Sequence, residues 1–512
     1  MPKILIVGGG YAGFYTAWKL EKLLRRGEAE VTLVDPLSYM TYQPFLPEVA
    51  AGSIEPTHAV VAFRRHLKKT RIVAARVTAI DTEEKVATFT PADGEPWTES
   101  YDILVVTAGS VTRTFPIPGV FDEAFGMKNI EEAVGVRDRL LGNFNRAANL
   151  KDSPLKRRLL TVAVVGGGFA GVETIAELRN LSSYMVRKYP TISWEETSFH
   201  LIEAMGRIMP EVSASSAEWV VQDLRKRGVD VHLDTQLLSA ENGVIELSTG
   251  ETFETDLLIW TAGVMAHPSA KAFGLPQDDR GRITTRADLR VHHNDEVVPN
   301  VWSAGDVSAV PDLSGGGVGG FCVPNAQHAV RQAKRLAKNI VAELRGEATI
   351  DYFHKNAGAV AGLGLYNGVF QKGNLAIKGF PAWIAHRGYH GLAMPTWERK
   401  LRVFGGWVGN FVLKREIASL ALGRPRAVFQ EYALRPKARV RAEEAPAVEA
   451  PKVVTATAAE IEAAFLADAY VAQHDVRHII GDQTERRRRR GRRADNGHVV
   501  GEVAQHGGQS VQ

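Results

Sequence analysis

The chain has 512 residues, a formal net charge of +4 and one cysteine, with 45% hydrophobic and 23% charged residues. That length allows two or three domains with a large core, and so small a charge excess gives no reason to expect a nucleic-acid partner. The first apolar strand starts at Lys3, so we expect no cleaved signal peptide. No apolar run reaches the roughly 18 residues that a spanning helix needs. We therefore expect a protein in the cytoplasm or peripheral on the cytoplasmic side of the cell membrane.

The first predicted element is an apolar strand that runs into a glycine-rich turn. Residues 3–13 read Lys-Ile-Leu-Ile-Val-Gly-Gly-Gly-Tyr-Ala-Gly, a strand followed by the G-x-G-x-x-G pattern that opens a helix. In such a turn Gly8 permits the tight bend, Gly10 lets the backbone approach a pyrophosphate, and Gly13 lets the helix pack closely on the strand. The next strand ends in Asp35, a carboxylate placed for an adenosine ribose. The segment predicts a dinucleotide site with the pyrophosphate at a helix N-terminus.

The same arrangement is repeated later in the chain. Residues 161–171 read Thr-Val-Ala-Val-Val-Gly-Gly-Gly-Phe-Ala-Gly, with Gly166, Gly168 and Gly171 in the three glycine positions. The following strand ends in Glu203, a second carboxylate placed for an adenosine ribose. An acid there repels a 2′-phosphate and therefore favours NADH over NADPH. Two glycine turns in one polypeptide suggest two nucleotides that face each other, so that electrons pass between them.

A further pair of segments, Tyr101–Gly109 and Thr255–Gly263, extends the repeat. Each reads as a buried strand that ends in Thr-Ala-Gly, where small residues allow the chain to cross closely. The candidate nucleotide contacts there are Ala108, Gly109 and Gly263. The strand Asn300–Asp306 has no counterpart, and its Ala-Gly-Asp end places the Asp306 carboxylate where it can hold a ribityl hydroxyl. This asymmetry assigns non-covalent FAD to the first unit together with Asp306, and NADH to the second.

These positions predict an α/β protein with two Rossmann-like dinucleotide-binding domains, in which the NADH-binding domain is inserted into a split FAD-binding domain. The expected segments are the first FAD-binding part at 1–112, a connector with a helix at 113–158, the NADH-binding domain at 159–275, the second FAD-binding part at 276–375, an amphipathic membrane-associating region at 376–434 and a disordered tail at 435–512.

The single cysteine, Cys322, excludes one kind of chemistry. No disulfide can form within the chain, so reductases that act through a cysteine pair are excluded, as are sulfide:quinone reductases, which need more than one cysteine. We expect Cys322 to be a small core or loop residue. No metal site is expected.

The amphipathic region combines an apolar stripe with tryptophans and cations. The stripe residues recur at helical spacing and are Leu401, Phe404, Val408, Phe411 and Val412, with Trp397 and Trp407 beside them. Such a segment predicts an interfacial helix, here about residues 380–415, with its tryptophans at headgroup depth and its cations on anionic lipid. The alternative is an ordinary C-terminal helix that closes the domain or forms a dimer contact. The Arg-rich run at 486–493 is typical of a solvated tail.

More specific motifs point to a known family. Residues 42–48 read Tyr-Gln-Pro-Phe-Leu-Pro-Glu, residues 326–332 read Ala-Gln-His-Ala-Val-Arg-Gln, and Glu173 stands two residues after the last glycine of the second turn. Over about residues 1–425 the chain resembles the type II NADH:quinone oxidoreductases. The resemblance implies hydride transfer from NADH to FAD and then passage of two electrons to a membrane quinone, ubiquinone or menaquinone, without proton pumping.

The resemblance also implies roles for individual residues. Gln43 lies in the segment near the flavin and the quinone, and Gln327 is expected to hydrogen-bond flavin or quinone from the start of a long helix. Glu173 would lie near the nicotinamide–flavin contact and relay protons, or would simply complement the helix dipole. Lys378 would stabilise a developing quinol anion, or is a surface lysine. His328 is expected to be structural. A homodimer is expected.

Two other functions stay open on the sequence alone. A soluble NADH-dependent reductase of a ferredoxin or rubredoxin would keep both nucleotide sites but would not need the amphipathic region. A non-enzymatic, NADH-sensing flavoprotein would use the Arg-rich tail to bind nucleic acid.

Overall fold

The first parallel sheet is assembled from two separate parts of the chain, residues 3–106 and 290–303. The computed structural model describes residues 1–355, 358–419 and 425–435. In spatial order the strands of the first sheet are Arg290–His293, Glu296–Ser303, Ile103–Val106, Lys3–Val7, Glu30–Val34 and Arg71–Val73. All neighbours are parallel except Arg290–His293, which runs antiparallel to Glu296–Ser303. The central strands Lys3–Val7 and Ile103–Val106 are buried apolar runs, as expected for strands that are covered on both faces of the sheet.

The second parallel sheet is built only from residues between those two parts. Its strands, in spatial order, are Ala124–Phe125, Leu257–Trp260, Thr161–Val165, Ser198–Ile202 and Asp230–His232. In each unit the glycine turn follows a central strand, and the next strand along the chain lies beside it, as in a Rossmann half. The predicted fold class, with the second unit inserted into a split first unit, is confirmed.

Smaller sheets and helices surround the two parallel sheets. The three-stranded antiparallel sheets are Arg76–Asp81, Val86–Thr90 and Trp97–Ser100; Leu237–Ser239, Val244–Leu247 and Thr252–Glu254; and Ala359–Gly362, Gly368–Lys372 and Leu375–Lys378. The two-stranded pairs are Tyr39–Thr41 with Val60–Ala62, Ser110–Thr112 with Val264–Ala266, and Ile283–Thr284 with Ser308–Ala309. The α-helices are Tyr11–Leu23, Leu46–Ala50, Phe63–His66, Val120–Glu123, Ile130–Ala147, Pro154–Leu160, Phe169–Val186, Ala214–Lys226, Ser269–Ala272, Ala326–Leu344, Phe380–Ala393, Trp397–Leu413 and Ala427–Tyr432. The domain boundaries stay a prediction, and the strand Leu375–Lys378 crosses the one drawn at 375.

Polar contacts dock the last two long helices onto the segment around Glu48. The Arg387 guanidinium lies 3.4 Å from Glu48 Oε2, and Trp407 Nε1 donates to the same oxygen at 3.0 Å. Arg387 is also held between the rings of Trp383 and Trp407. The expectation that Trp407 lies at headgroup depth is therefore wrong, because its indole is turned inward onto a buried carboxylate.

Half of the Lys and Arg residues in 380–415, which the sequence assigned to anionic lipid, instead contact groups inside the protein. Arg415 lies 3.5 Å from the buried Glu177 carboxylate, and Arg399 donates to the Thr57 carbonyl oxygen at 2.5 Å. With Arg387, these make three of the six Lys and Arg residues in 380–415, which leaves Lys400, Arg402 and Lys414 at the surface. Within the described residues, no helix is both long and apolar enough to cross a bilayer. The tail beyond residue 435, with its Arg-rich run, lies outside the described residues.

The Glu48–Arg387 pair predicts a measurable stability difference. Arg387→Met should lower the melting temperature by on the order of 5 °C, because removal of one partner leaves a buried charge uncompensated. Arg402→Met is the matched control, since Arg402 pairs with Glu398 at the surface, where its side chain is 49% exposed. Equal melting temperatures for the two variants would contradict the docking role of Arg387.

Candidate functional site: two facing nucleotide turns

The two glycine turns have the same backbone geometry. Gly8 and Gly166 adopt φ angles of +96° and +108°, which an L side chain rarely tolerates. A Cβ built at Gly13 would lie 1.8 Å from the Gly8 carbonyl oxygen, and one at Gly171 would lie 1.9 Å from that of Gly166. These four glycines therefore allow the turn and the close packing of each helix on its strand, as predicted.

The middle glycine of each turn faces open space instead. A Cβ built at Gly10 or at Gly168 would meet no heavy atom within 4 Å. Each is the N-cap residue of a helix, Tyr11–Leu23 or Phe169–Val186, and neither has a side chain to cap the helix. Exposed N–H groups and the helix dipole at such a position favour an anion. Both turns fit the pyrophosphate of a dinucleotide.

The acid that ends each second strand fastens the turn. Asp35 Oδ2 accepts a hydrogen bond from Gly9 N at 2.6 Å, and Glu203 Oε2 accepts one from Gly167 N at 2.5 Å. Burial is the largest influence on Asp35 and raises the pKa of its carboxyl, although backbone hydrogen bonds oppose the shift. The sequence predicted a ribose contact for both acids but missed this bond to the loop. Arg207, the cation nearest to Glu203 in sequence, donates to the carbonyl oxygen of Val212.

Each Thr-Ala-Gly segment is hydrogen-bonded to the glycine turn of its own unit, and the strands that follow connect the two units. The Thr107 hydroxyl donates to the Gly8 carbonyl oxygen at 2.9 Å, and the Thr261 hydroxyl donates to that of Gly166 at 3.0 Å. The strands that follow, Ser110–Thr112 and Val264–Ala266, pair antiparallel.

Backbone hydrogen bonds flank this strand pair at Gly109 and Gly263, the two glycines that the sequence predicted as nucleotide contacts. His267 N donates to the Gly109 carbonyl oxygen at 3.0 Å, and Arg113 N donates to the Gly263 carbonyl oxygen at 3.1 Å. The structure thus joins the two units directly beside Gly109 and Gly263. Ala108 lies against the first turn, since a Cβ at Gly8 would be 2.9 Å from its Cα.

Asp306 lies beside the first unit, as expected from the Ala-Gly-Asp strand end. Its Oδ2 accepts a hydrogen bond from the Ser110 hydroxyl at 2.7 Å and lies 3.6 Å from Lys128 Nζ. Gln43 is connected to the same group, because its side-chain amide donates to the Lys128 carbonyl oxygen at 3.0 Å. Ser110 and Lys128 belong to no motif in the sequence and were missed.

The helix Ala326–Leu344 starts beside the Ala-Gly-Asp turn. The Asn325 side chain caps it by accepting from His328 N at 2.8 Å. Gln327 Oε1 lies 2.9 Å from His354 Nε2, and the structural role expected for His328 is consistent with its 2.9 Å contact to the Tyr352 hydroxyl. Gln332, the last residue of the motif, accepts from Gly305 N at 2.8 Å and so holds the backbone next to Asp306. Sequence reasoning gave Gln332 no role.

Glu173 belongs to a buried polar cluster. Its Oε1 accepts a hydrogen bond from Gly362 N at 2.8 Å and lies 3.2 Å from His386 Nε2. His386 Nε2 makes no hydrogen bond within the described residues, so this is a close contact between a histidine and a carboxylate. The ring of His390 lies 4.7 Å from that of His386, and His390 Nδ1 lies 3.2 Å from the Tyr42 hydroxyl. Both histidines were missed because only the fold brings their helix to Glu173.

Burial sets the protonation of the inner end of this cluster. Desolvation, followed by the neighbouring His386, lowers the pKa of His390 well below its usual value. Desolvation raises the pKa of the Tyr42 hydroxyl well above its usual value. At neutral pH the imidazole and the phenol are therefore both uncharged, and either can donate or accept a proton.

Two further predicted residues lie elsewhere. Lys378 ends the strand Leu375–Lys378, and its Nζ lies 5.5 Å from the centre of the Trp219 ring. Cys322 is 7% exposed, and burial raises the pKa of its thiol to about 11. That value agrees with a buried, unreactive side chain.

Comparison with known proteins agrees with this geometry. Residues 2–333 match the family model described as pyridine nucleotide-disulphide oxidoreductase. The structure is similar to that of NDH2 from Plasmodium falciparum in complex with NADH, with a TM-score of 0.74, 18% identity, and coverage of 81% of this chain and 99% of that one. At that identity, the likeness concerns the fold. The chain is thus a dinucleotide-dependent oxidoreductase of the pyridine nucleotide-disulphide fold, although it has no cysteine pair.

Proteins related in sequence show which family of oxidoreductases the chain belongs to. A type II NADH:quinone oxidoreductase of Staphylococcus haemolyticus is 31% identical over 373 residues, which cover 72% of this chain and 89% of that protein. A probable NADH dehydrogenase of Dictyostelium discoideum is 26% identical over 425 residues, with 81% and 91% coverage. The chain belongs to the type II NADH:quinone oxidoreductases.

The two open glycines provide a test of the site assignment. Gly10→Ala should reduce the flavin content of the purified protein, because a methyl group would stand between the helix and the FAD pyrophosphate. Gly168→Ala should leave the flavin content unchanged and raise KM for NADH by about tenfold, equivalent to about 1.4 kcal/mol of lost binding. Each variant is the control for the other. Loss of flavin from Gly168→Ala with retention in Gly10→Ala would reverse the assignment.

Proposed function

We propose that the joined ends of the two nucleotide units form the electron-transfer centre of an FAD-dependent NADH:quinone oxidoreductase. The observation that carries this proposal is the antiparallel pairing of Ser110–Thr112 with Val264–Ala266. These segments follow the carboxyl end of one strand in each parallel sheet, where nucleotides bind in such folds. Bound FAD would accept a hydride from NADH and pass two electrons to a quinone. The soluble reductase and the non-enzymatic flavoprotein are not favoured by the relatives described above.

Individual residues have distinct parts in this proposal. The turn at Gly8–Gly13, Asp35 and Asp306 hold FAD, and the turn at Gly166–Gly171 with Glu203 holds NADH. The N-terminus of the helix Ala326–Leu344 directs positive potential at the reacting ring system, where negative charge grows as electrons arrive. Gln327, in the first turn of that helix, orients flavin or quinone. Lys378 remains our candidate for stabilising a quinol anion.

Quinone reduction consumes two protons, and the cluster around Glu173 is our candidate for their supply. Glu173, His386, His390 and Tyr42 form a sequence of close contacts from the NADH-binding helix to the segment that carries Gln43. The two inner groups are neutral at pH 7, so they can pass a proton without retaining a buried charge. The opposing interpretation, in which Glu173 only complements the helix dipole, does not account for its contact with His386.

Glu173→Gln separates the two interpretations. The variant keeps the hydrogen bond from Gly362 N but cannot carry a proton, so reduction of the enzyme by NADH should change less than about twofold. Reoxidation by quinone should slow by about 100-fold, a typical contribution of a positioned acid–base group. The two half-reactions are measured separately by anaerobic rapid mixing.

The matched control for Glu173→Gln is Glu211→Gln, at an exposed glutamate of the same domain. It should leave both half-reactions unchanged. A normal rate of reoxidation in Glu173→Gln would show that the carboxylate does not deliver protons.

We further propose that the protein lies on the cytoplasmic side of the cell membrane through its C-terminal helices. The apolar stripe on Trp397–Leu413 faces away from the domain, with Leu401, Val408 and Phe411 exposed by 69%, 64% and 78%. Trp397 is exposed at the start of the same helix, and Lys400 lies over its ring. An apolar face of this kind, flanked by cations, suits the boundary between headgroups and acyl chains. The expected homodimer stays a prediction.

Reversal of the stripe's polarity tests the membrane proposal. The double variant Val408→Glu/Phe411→Glu should lose flotation with vesicles of mixed neutral and anionic lipid, because two carboxylates would have to enter the interface. The control is Leu238→Glu, an exposed apolar position on the NADH-binding domain. Turnover with a water-soluble quinone analogue should persist in both variants. Undiminished flotation of the double variant would exclude this face as the membrane contact.

A further inference from the structure

A pair of histidines lies at the edge of the second sheet, away from the glycine turns. His200 is in the strand Ser198–Ile202 and His232 ends the neighbouring edge strand Asp230–His232. The parallel register sets His200 beside Asp230 and Ile202 beside His232. Because side chains alternate along a strand, His200, Asp230 and His232 are on the same face of the sheet. That face is covered by the antiparallel sheet of residues 237–254, whose Phe253 stacks on the His200 ring with ring centres 3.8 Å apart.

The polar atoms of this cluster are close enough to share a cation. His200 Nδ1 lies 3.1 Å from His232 Nε2. Glu251 lies on the other side of the His232 ring, with its Oε2 3.6 Å from His232 Nδ1. One ligand atom from each of the three residues can be chosen so that all lie within 4.8 Å of one another. Two nitrogens bound to one tetrahedral zinc ion at about 2.0–2.1 Å are about 3.3 Å apart. The histidine pair is therefore close to the required spacing.

The surroundings of the pair also suit a metal ion. The Ser198 hydroxyl lies 2.9 Å from His200 Nε2, so it can fix the ring and leave Nδ1 directed at His232. Asp230 adds a second carboxylate, with its Oδ2 4.0 Å from His200 Nδ1. The side chains of Asp230 and Glu251 are 67% and 48% exposed, so an ion can enter from solvent.

Without a metal, the 3.1 Å contact is a hydrogen bond in which one ring donates to the other. A cation would replace the shared proton.

We propose that His200, His232 and Glu251 form a binding site for a zinc-like divalent cation that joins the edge strand of the second sheet to the antiparallel sheet above it. Two imidazoles and a carboxylate suit zinc, nickel or copper better than magnesium or calcium, which prefer oxygen ligands. The sequence predicted no metal site, because the ligands come from two strands and a turn and show no short spacing motif.

The site is also coupled to the nucleotide end of the strand. The backbone carbonyl oxygen of His232 accepts a hydrogen bond from Glu203 N at 2.9 Å. A cation that fixes His232 therefore supports the backbone that presents the proposed ribose acid. The metal site does not depend on the quinone reaction, so it can be tested without turnover.

Zinc binding to the full-length flavoprotein tests the proposal. Protein treated with a chelator and dialysed is titrated with Zn²⁺, and bound zinc is followed by calorimetry and elemental analysis. The wild type should bind one ion per chain at this site and melt at a higher temperature in its presence. His232→Ala and Glu251→Gln should each weaken that binding by at least about tenfold. The isosteric Glu251→Gln keeps the test valid if the alanine variant folds poorly.

Two controls separate this site from other histidines. His293→Ala, at an exposed histidine of the first sheet, should bind zinc like the wild type. The four histidines beyond residue 435 are present in every variant, so any zinc they bind cancels in the comparison. Cu²⁺ bound to the wild type should show two nitrogen ligands in its electron paramagnetic resonance spectrum. Equal zinc affinity in the wild type, His232→Ala and Glu251→Gln would overturn the proposal.

Discussion

A pyrophosphate must lie against the exposed N-terminus of a helix, and this constraint shapes both halves of the protein. No side chain can stand between the helix and the anion, so the backbone is bare at Gly10 and Gly168. The tight bend then requires glycine at Gly8 and Gly166, and the close packing of each helix on its strand requires glycine at Gly13 and Gly171. In each turn a carboxylate, Asp35 or Glu203, accepts a hydrogen bond from the backbone N–H of Gly9 or Gly167. The two units therefore use the same backbone geometry and the same kind of hydrogen bond.

The remaining architecture joins these two turns and covers them. The Thr-Ala-Gly segments place the units side by side, and the helix Ala326–Leu344 returns to the first unit, where Gln332 holds the Ala-Gly-Asp turn. The C-terminal helices are then fastened by buried ion pairs, above all Glu48 with Arg387. Their inner faces combine buried apolar residues such as Val403 with paired polar groups, and the outer face of Trp397–Leu413 is apolar. The same helices contact Glu173 through His386 and carry the face that we propose for the membrane.

Much of the nucleotide architecture could be predicted from the sequence, because a strand, a glycine turn and a strand-end acid are local patterns with a local cause. A long helix with Gln327 near its start was also predicted, and it is Ala326–Leu344 in the structure. The inward position of Trp407 and the pairing of His386 with Glu173 could not be predicted. Helical periodicity shows which residues share a face, but not which part of that face meets a partner from a distant segment. The His200–His232 pair was hidden likewise, since only sheet register brings it together.

The central claim is that one chain binds FAD at the turn Gly8–Gly13 and NADH at the turn Gly166–Gly171. A hydride passes from NADH to FAD, and the two electrons then pass to a quinone. The most direct measurement is the flavin absorbance of the purified full-length protein under anaerobic conditions. We predict about one non-covalent FAD per chain, bleached by NADH and restored by an added quinone. A colourless protein that takes up no FAD, or a reduced flavin that a quinone cannot reoxidise, would contradict this account.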